Sequence, residues 1–122
     1  MSKSDLRNRN VNELANEYVS AAIAHGNAST SGDYREANLQ HDIVQDVYRE
    51  LRSRGKSAQN VLLGLLDHPN EAVRGWAAFH ALEFAPEKGE PVLEALSKSL
   101  GISGFNAEMT LKEWRKGSLK FP

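Results

Sequence analysis

The chain has 122 residues, 40% of them hydrophobic, and a formal net charge of −1. That length suits one compact domain with a sizeable core and is short for two, while the charge gives no global attraction to nucleic acid or anionic lipid. Cysteine is absent, which excludes disulfides, thiolate metal sites and cysteine nucleophiles and agrees with a reducing cytoplasm. Residues 1–9 are polar and read as a flexible N-terminal tail. MSKSDLRNRN lacks the apolar core of a secretory signal, and no stretch approaches the roughly 20 apolar residues of a membrane span. A cytoplasmic protein without a membrane partner is expected.

Asn10 and Glu13 form an Asn-x-x-Glu capping box, from which Val11, Leu14, Ala15, Tyr18, Val19, Ala22 and Ile23 keep helical spacing. Gly26–Gly32 is rich in turn formers and predicts a mobile connection. Asp33 with Glu36 repeats the capping signal, and the helix over Tyr34–Arg54 is expected to send Leu39, Ile43, Val44, Val47 and Leu51 to the core before Gly55 ends it.

A third helix carries Ala58, Val61, Leu62, Leu65 and Leu66 on one face. Pro69 holds His68 extended, and Asn70 caps a fourth helix near Glu71. The small residues Gly75, Ala77, Ala78 and Ala81 predict close packing of that helix on more than one side. Pro86 marks the first turn of a fifth helix with Val92, Leu93, Leu96 and Leu100 on its apolar side, and Pro91 leaves its start open. A last helix holds Ala107, Leu111 and Trp114 and ends at Gly117.

Six helices without a plausible strand predict an all-α domain over residues 10–117, followed by a tail at 118–122. Paired in order they give three antiparallel hairpins stacked as an α-α superhelix. This is preferred to a closed bundle because Glu71–Ala85, apolar on several sides, suits the middle of a layered array.

The segment LLDHPNEAVRGWAAFHAL resembles a HEAT/armadillo-like helical repeat. A Leu-rich first helix (Leu62, Leu65, Leu66) precedes an Asp-x-Pro-Asn turn (Asp67, Pro69, Asn70). A Val-Arg pair (Val73, Arg74) then opens a second helix holding Ala77, Ala78, Ala81 and Leu82. PEKGEPVLEALSKSL is similar to the first helix of another repeat. The order of NELANEYV, GDYREAN, YRELRSRG, this repeat and AEMTLKEWRKG resembles a small bacterial family of HEAT-like proteins known only as a domain of unknown function. The resemblance implies an α-α superhelical fold and carries no activity, substrate or catalytic residue. Some single-domain helical-repeat proteins of this size are immunity proteins encoded beside toxins, and an immunity role enters here by analogy of fold and size.

The residues point to no catalysis. His25, His41, His68 and His80 are scattered without metal-ligand spacing, and no phosphate loop, nucleophile elbow or zincin motif is present. No enzyme activity, cofactor or metal is therefore expected. Arg74, tempting as an anion ligand, is better placed to bond Asp67 or carbonyls of an adjacent hairpin.

The surface with most to recognise is the stripe Asn38, His41, Gln45 and Tyr48, flanked by Asp42, Arg49 and Arg52; its bland alternative is the wet side of an amphipathic helix. In solenoids the second helix of each hairpin lines the concave wall. That puts Trp76 and His80 among the candidates as well, each with an interior alternative: space filling for Trp76, a neutral core histidine for His80. Lys112, Arg115, Lys116 and Lys120, interleaved with Trp114 and Phe121, form the one basic cluster. Cations there also suit a helix C-terminus, so nucleic acid is disfavoured. The expected function is a protein-binding module of unknown partner. The alternatives are a nucleic-acid-binding repeat protein and a homodimer in contact through Trp114 or Phe121.

Overall fold

The computed structural model describes residues 3–122. Among them lie seven α-helices and no strand: α1 (Lys3–Arg7), α2 (Val11–Ser31), α3 (Tyr34–Ser53), α4 (Lys56–Gln59), α5 (Glu71–Phe84), α6 (Pro86–Leu96) and α7 (Ile102–Arg115). A 3-10 segment (Asn60–Leu65) stands between α4 and α5. The chain divides into two compact units, one running to Val61 and one of Leu62–Phe121.

In the first unit α2 and α3 form a hairpin whose fully buried residues are Leu14, Tyr18 and Ala22 from α2 and Val44, Val47, Tyr48 and Leu51 from α3. Asn10 accepts from the Glu13 amide while the Glu13 carboxylate accepts from the Asn10 amide, completing the expected capping box. Asp33 likewise accepts from the Glu36 amide.

Three expectations change in this unit. The segment Gly26–Ser31, read as a loop, continues α2. Thr30 and Ser31 donate their hydroxyls to the Gly26 and Ala28 carbonyls, so their turn-forming groups are satisfied inside the helix, and Ala28 is buried. Gly32, at φ 80°, then ends α2 in the left-handed conformation that glycine adopts without steric cost. Residues 3–7, read as part of a flexible tail, form α1, whose Leu6 is buried and whose Leu6 and Arg7 carbonyls accept from Arg54 at 3.0 and 3.2 Å. Residues 1–2 of that tail lie outside the described residues. Leu39, expected in the core, is 53% exposed.

The expected third helix is α-helical for one turn only and tightens into the 3-10 segment, where Leu62 is fully buried and Gly64 exposed.

In the second unit α5, α6 and α7 each pack on the other two. Asn70 caps α5 as expected, accepting from the Ala72 and Val73 amides. Arg74 is structural, but it bonds its own turn, donating to the His68 and Pro69 carbonyls at 2.8 and 3.0 Å. The small residues of α5 bring α6 close. A Cβ added at Gly89 would lie 2.7 Å from the Ala78 carbonyl oxygen and 3.2 Å from the Ala81 Cβ.

Helix α6 starts at Pro86 and carries Pro91 within it. Leu100 falls beyond its end and is 97% exposed, not part of its apolar side. Ala107 and Leu111 bury the inner face of α7 as expected.

Candidate functional site

Helix α3 carries the polar stripe, and the structure divides it in two. Asn38 and His41 are exposed and Gln45 is half-buried, while Tyr48 is fully buried. The Gln59 side-chain amide, at the end of α4, donates to the Tyr48 hydroxyl at 3.1 Å, and the Arg52 guanidinium lies 5.5 Å from the Tyr48 ring centre. Tyr48 therefore belongs to the core and offers nothing to a partner. Its place as the accessible aromatic is taken by Tyr34, which starts α3 and is 75% exposed. Residues 34, 38, 41 and 45 stand at i, i+4, i+7 and i+11, one continuous helical stripe.

From α2, His25 joins this surface, its ring centre 6.2 Å from that of His41 with the planes at 47°. Half-burial, and secondarily the neighbouring His41, push the His25 pKa below its ordinary value. His41 Nδ1 lies 3.2 Å from the Asp42 carboxylate. An ionised carboxylate only accepts, so the bond requires the proton on Nδ1. In the interior of the same hairpin, burial, with Tyr48 adding to it, raises the Tyr18 phenol well above the usual tyrosine range.

The α5 candidates separate as well. His80 is completely buried, so its interior reading holds and its contact role does not. Trp76 is half-buried. The rings of Trp76 and His80 stack at 5.7 Å, Trp76 meets Phe79 edge-on at 6.0 Å, and Phe121, beyond α7, stacks on Phe79 at 5.3 Å. Residues 118–122, expected as a tail, are thus fastened at two places. Besides the Phe121 stack, the Ser118 hydroxyl donates to the Glu113 carboxylate at 2.6 Å.

Of the basic cluster, Arg115 is paired with Glu90 and Glu94 of α6, which ties α7 to α6. Among the described residues no three His, Asp or Glu side chains gather as metal ligands, and no helix is long and apolar enough to cross a membrane.

Sequence reasoning passed over one surface. Ile102, Phe105 and Met109, at i, i+3 and i+7, are 41%, 63% and 40% exposed and stand on the face of α7 opposite Ala107 and Leu111. That spacing is legible in the sequence alone.

A family model described as a domain of unknown function (DUF2019) matches residues 12–114. The chain is similar to the crystal structure of the protein RPA1889 from Rhodopseudomonas palustris CGA009, with 24% identity and a TM-score of 0.88 over 96% of this chain and 98% of that one. No curated protein matches.

Proposed function

We propose that this chain, which belongs to the DUF2019 family of domains of unknown function, is a non-enzymatic protein-binding module that meets its partner through the exposed half of α3. The observation that carries this reading is Tyr34, 75% exposed at the head of a stripe that continues through Asn38, His41 and Gln45. A large aromatic ring anchors contact area at small entropic cost, and amide and imidazole groups around it adapt their hydrogen bonds to the partner.

The HEAT-like design, with hairpins stacked as an α-α superhelix, is part of the same proposal. It is supported by the α5 turn, where Asn70 caps the helix and Arg74 clasps the turn carbonyls at the positions the repeat pattern assigns to them. A helix face presented on such a scaffold acts by covering the partner's surface. Occlusion of a toxin by its immunity protein is one form such an action takes, and a toxin gene beside this one would favour it.

Affinity capture from the native cells tests the proposal. The intact protein should retain one partner at near-equal stoichiometry, and Tyr34→Ala or His41→Ala should lose it while keeping its helical spectrum and melting temperature. Recovery of the same partner by both variants would overturn the assignment to α3.

A further inference from the structure

We propose that His25 and His41, brought together across the α2–α3 hairpin, form a two-imidazole site for one divalent transition-metal ion. The two residues stand equally far before and after Asp33, the N-cap of α3, so antiparallel packing sets them side by side although they are distant in sequence. Spacing along the chain, the basis for expecting no metal, does not register such a pair.

The geometry fits one ion. With a metal about 2.0–2.1 Å from each nitrogen, and each nitrogen about 1.1 Å from its ring centre, two imidazoles sharing an ion have ring centres roughly 5.2 Å apart at the tetrahedral angle and about 6.4 Å apart in line. The observed 6.2 Å lies inside that range, and closing to the tetrahedral value takes about 1 Å of side-chain movement. The backbones are held on both sides of the pair, since Ala28 and Ala37 toward the turn and Ala22 and Val44 away from it are all buried. An ion can approach from solvent, because His41 is exposed and His25 only half-buried.

Protonation favours the same reading. A metal takes the neutral imidazole through one ring nitrogen, and a hydrogen bond from the other orients the ring. At His41 the bond to Asp42 holds the proton on Nδ1 and leaves Nε2 as the coordinating atom, while the carboxylate adds negative charge beside the cation. At His25 burial and the neighbouring His41 lower the pKa, which reduces competition from protons at neutral pH. Imidazole suits Zn²⁺, Ni²⁺ and Cu²⁺, whereas Mg²⁺ prefers oxygen ligands. Among the described residues no three ligating side chains gather, so water completes the ion's shell. The other two histidines are unsuited: His68 Nδ1 already accepts from the Asn70 backbone N–H at 3.0 Å, and His80 is completely buried.

The site rests on the hairpin and not on the partner assigned to α3, so Tyr34→Ala should bind the ion as the intact chain does. Calorimetric titration of the intact chain with Zn²⁺ to about 1 mM, at about pH 7.5, provides the test. One ion per chain should bind, and His25→Gln and His41→Gln should each weaken it at least about tenfold. Mg²⁺ at the same concentrations should give no binding heat. In the unsubstituted protein the ring-proton NMR signals of His25 and His41 should move together during the titration while those of His68 and His80 stay in place, a readout that needs no variant to fold.

No binding of Zn²⁺ over that range would overturn the proposal. So would undiminished affinity in either histidine variant, or a shift confined to one of the two rings, which marks a single-imidazole contact.

Discussion

The Gln59 amide bonds the Tyr48 hydroxyl at 3.1 Å, and that contact marks where the α3 stripe passes from surface into core. Everything N-terminal to it on the stripe is exposed in whole or in part; Tyr48 is not.

The two tyrosines of α3 should therefore behave as opposites. Tyr48→Ala removes a fully buried ring and should cost about 3–5 kcal/mol. Tyr34→Ala, at an exposed position, should change stability by no more than about 0.5 kcal/mol. Urea denaturation followed by circular dichroism measures both; a Tyr34→Ala cost as large as that of Tyr48→Ala would mean that the ring is packed.

A second contrast concerns glycine. Gly89→Ala drives a methyl group toward the Ala78 carbonyl and should destabilise the α5–α6 contact by about 1–3 kcal/mol. A Cβ at Gly64 meets nothing within 4 Å, so Gly64→Ala should be neutral or stabilising by up to about 1 kcal/mol. Equal denaturation midpoints for the two variants would contradict the close approach of α6 to α5.

Asn70 supplies both side-chain bonds at the start of α5, and its backbone N–H donates to His68 Nδ1 at 3.0 Å. Asn70→Ala should cost about 1–2 kcal/mol and Asn70→Asp, which keeps an acceptor in place, less than half of that. Thermal melts of the two variants check the order; if Asp melts as low as Ala, the cap is not what stabilises this end.

The pH dependence follows from His25. Its folded-state pKa is depressed below the ordinary value of about 6.5, first by burial and then by His41. The unfolded chain thus binds a proton at a pH where the folded chain does not. Stability from this group is fully present above pH 6.5 and falls as the pH drops from there toward the folded pKa, below which it changes no further. The melting temperature should fall between pH 7.5 and 5.5, and His25→Gln should make that fall shallower. An unaltered slope would show that the imidazole is as free to protonate folded as unfolded.

What the residues disclosed in advance was local. Asn10, Asp33 and Asn70 start helices where their side chains can reach amides two or three positions ahead, and periodicity placed Leu14, Val44, Val47, Leu51, Ala107 and Leu111 in the interior. What they hid depends on contacts distant in sequence. The Ser- and Thr-rich run 26–31 carries turn formers, yet the burial of Ala28 and two hydroxyl back-bonds keep it helical. Tyr48 shares a helical face with His41, so spacing cannot separate them, and it takes Gln59, eleven residues on, to cover one and leave the other exposed. In α7 both stripes were legible, but only packing against α5 and α6 decides that Ala107 and Leu111 turn inward and Phe105 outward.

Photo-crosslinking in the native cells tests recognition through α3 most directly, with a photoreactive phenylalanine analogue replacing Tyr34 in one variant and the exposed Lys56 in another. The account predicts one discrete adduct with a second protein species from position 34 and none from position 56. No adduct from 34, or the same pattern from both, would contradict it.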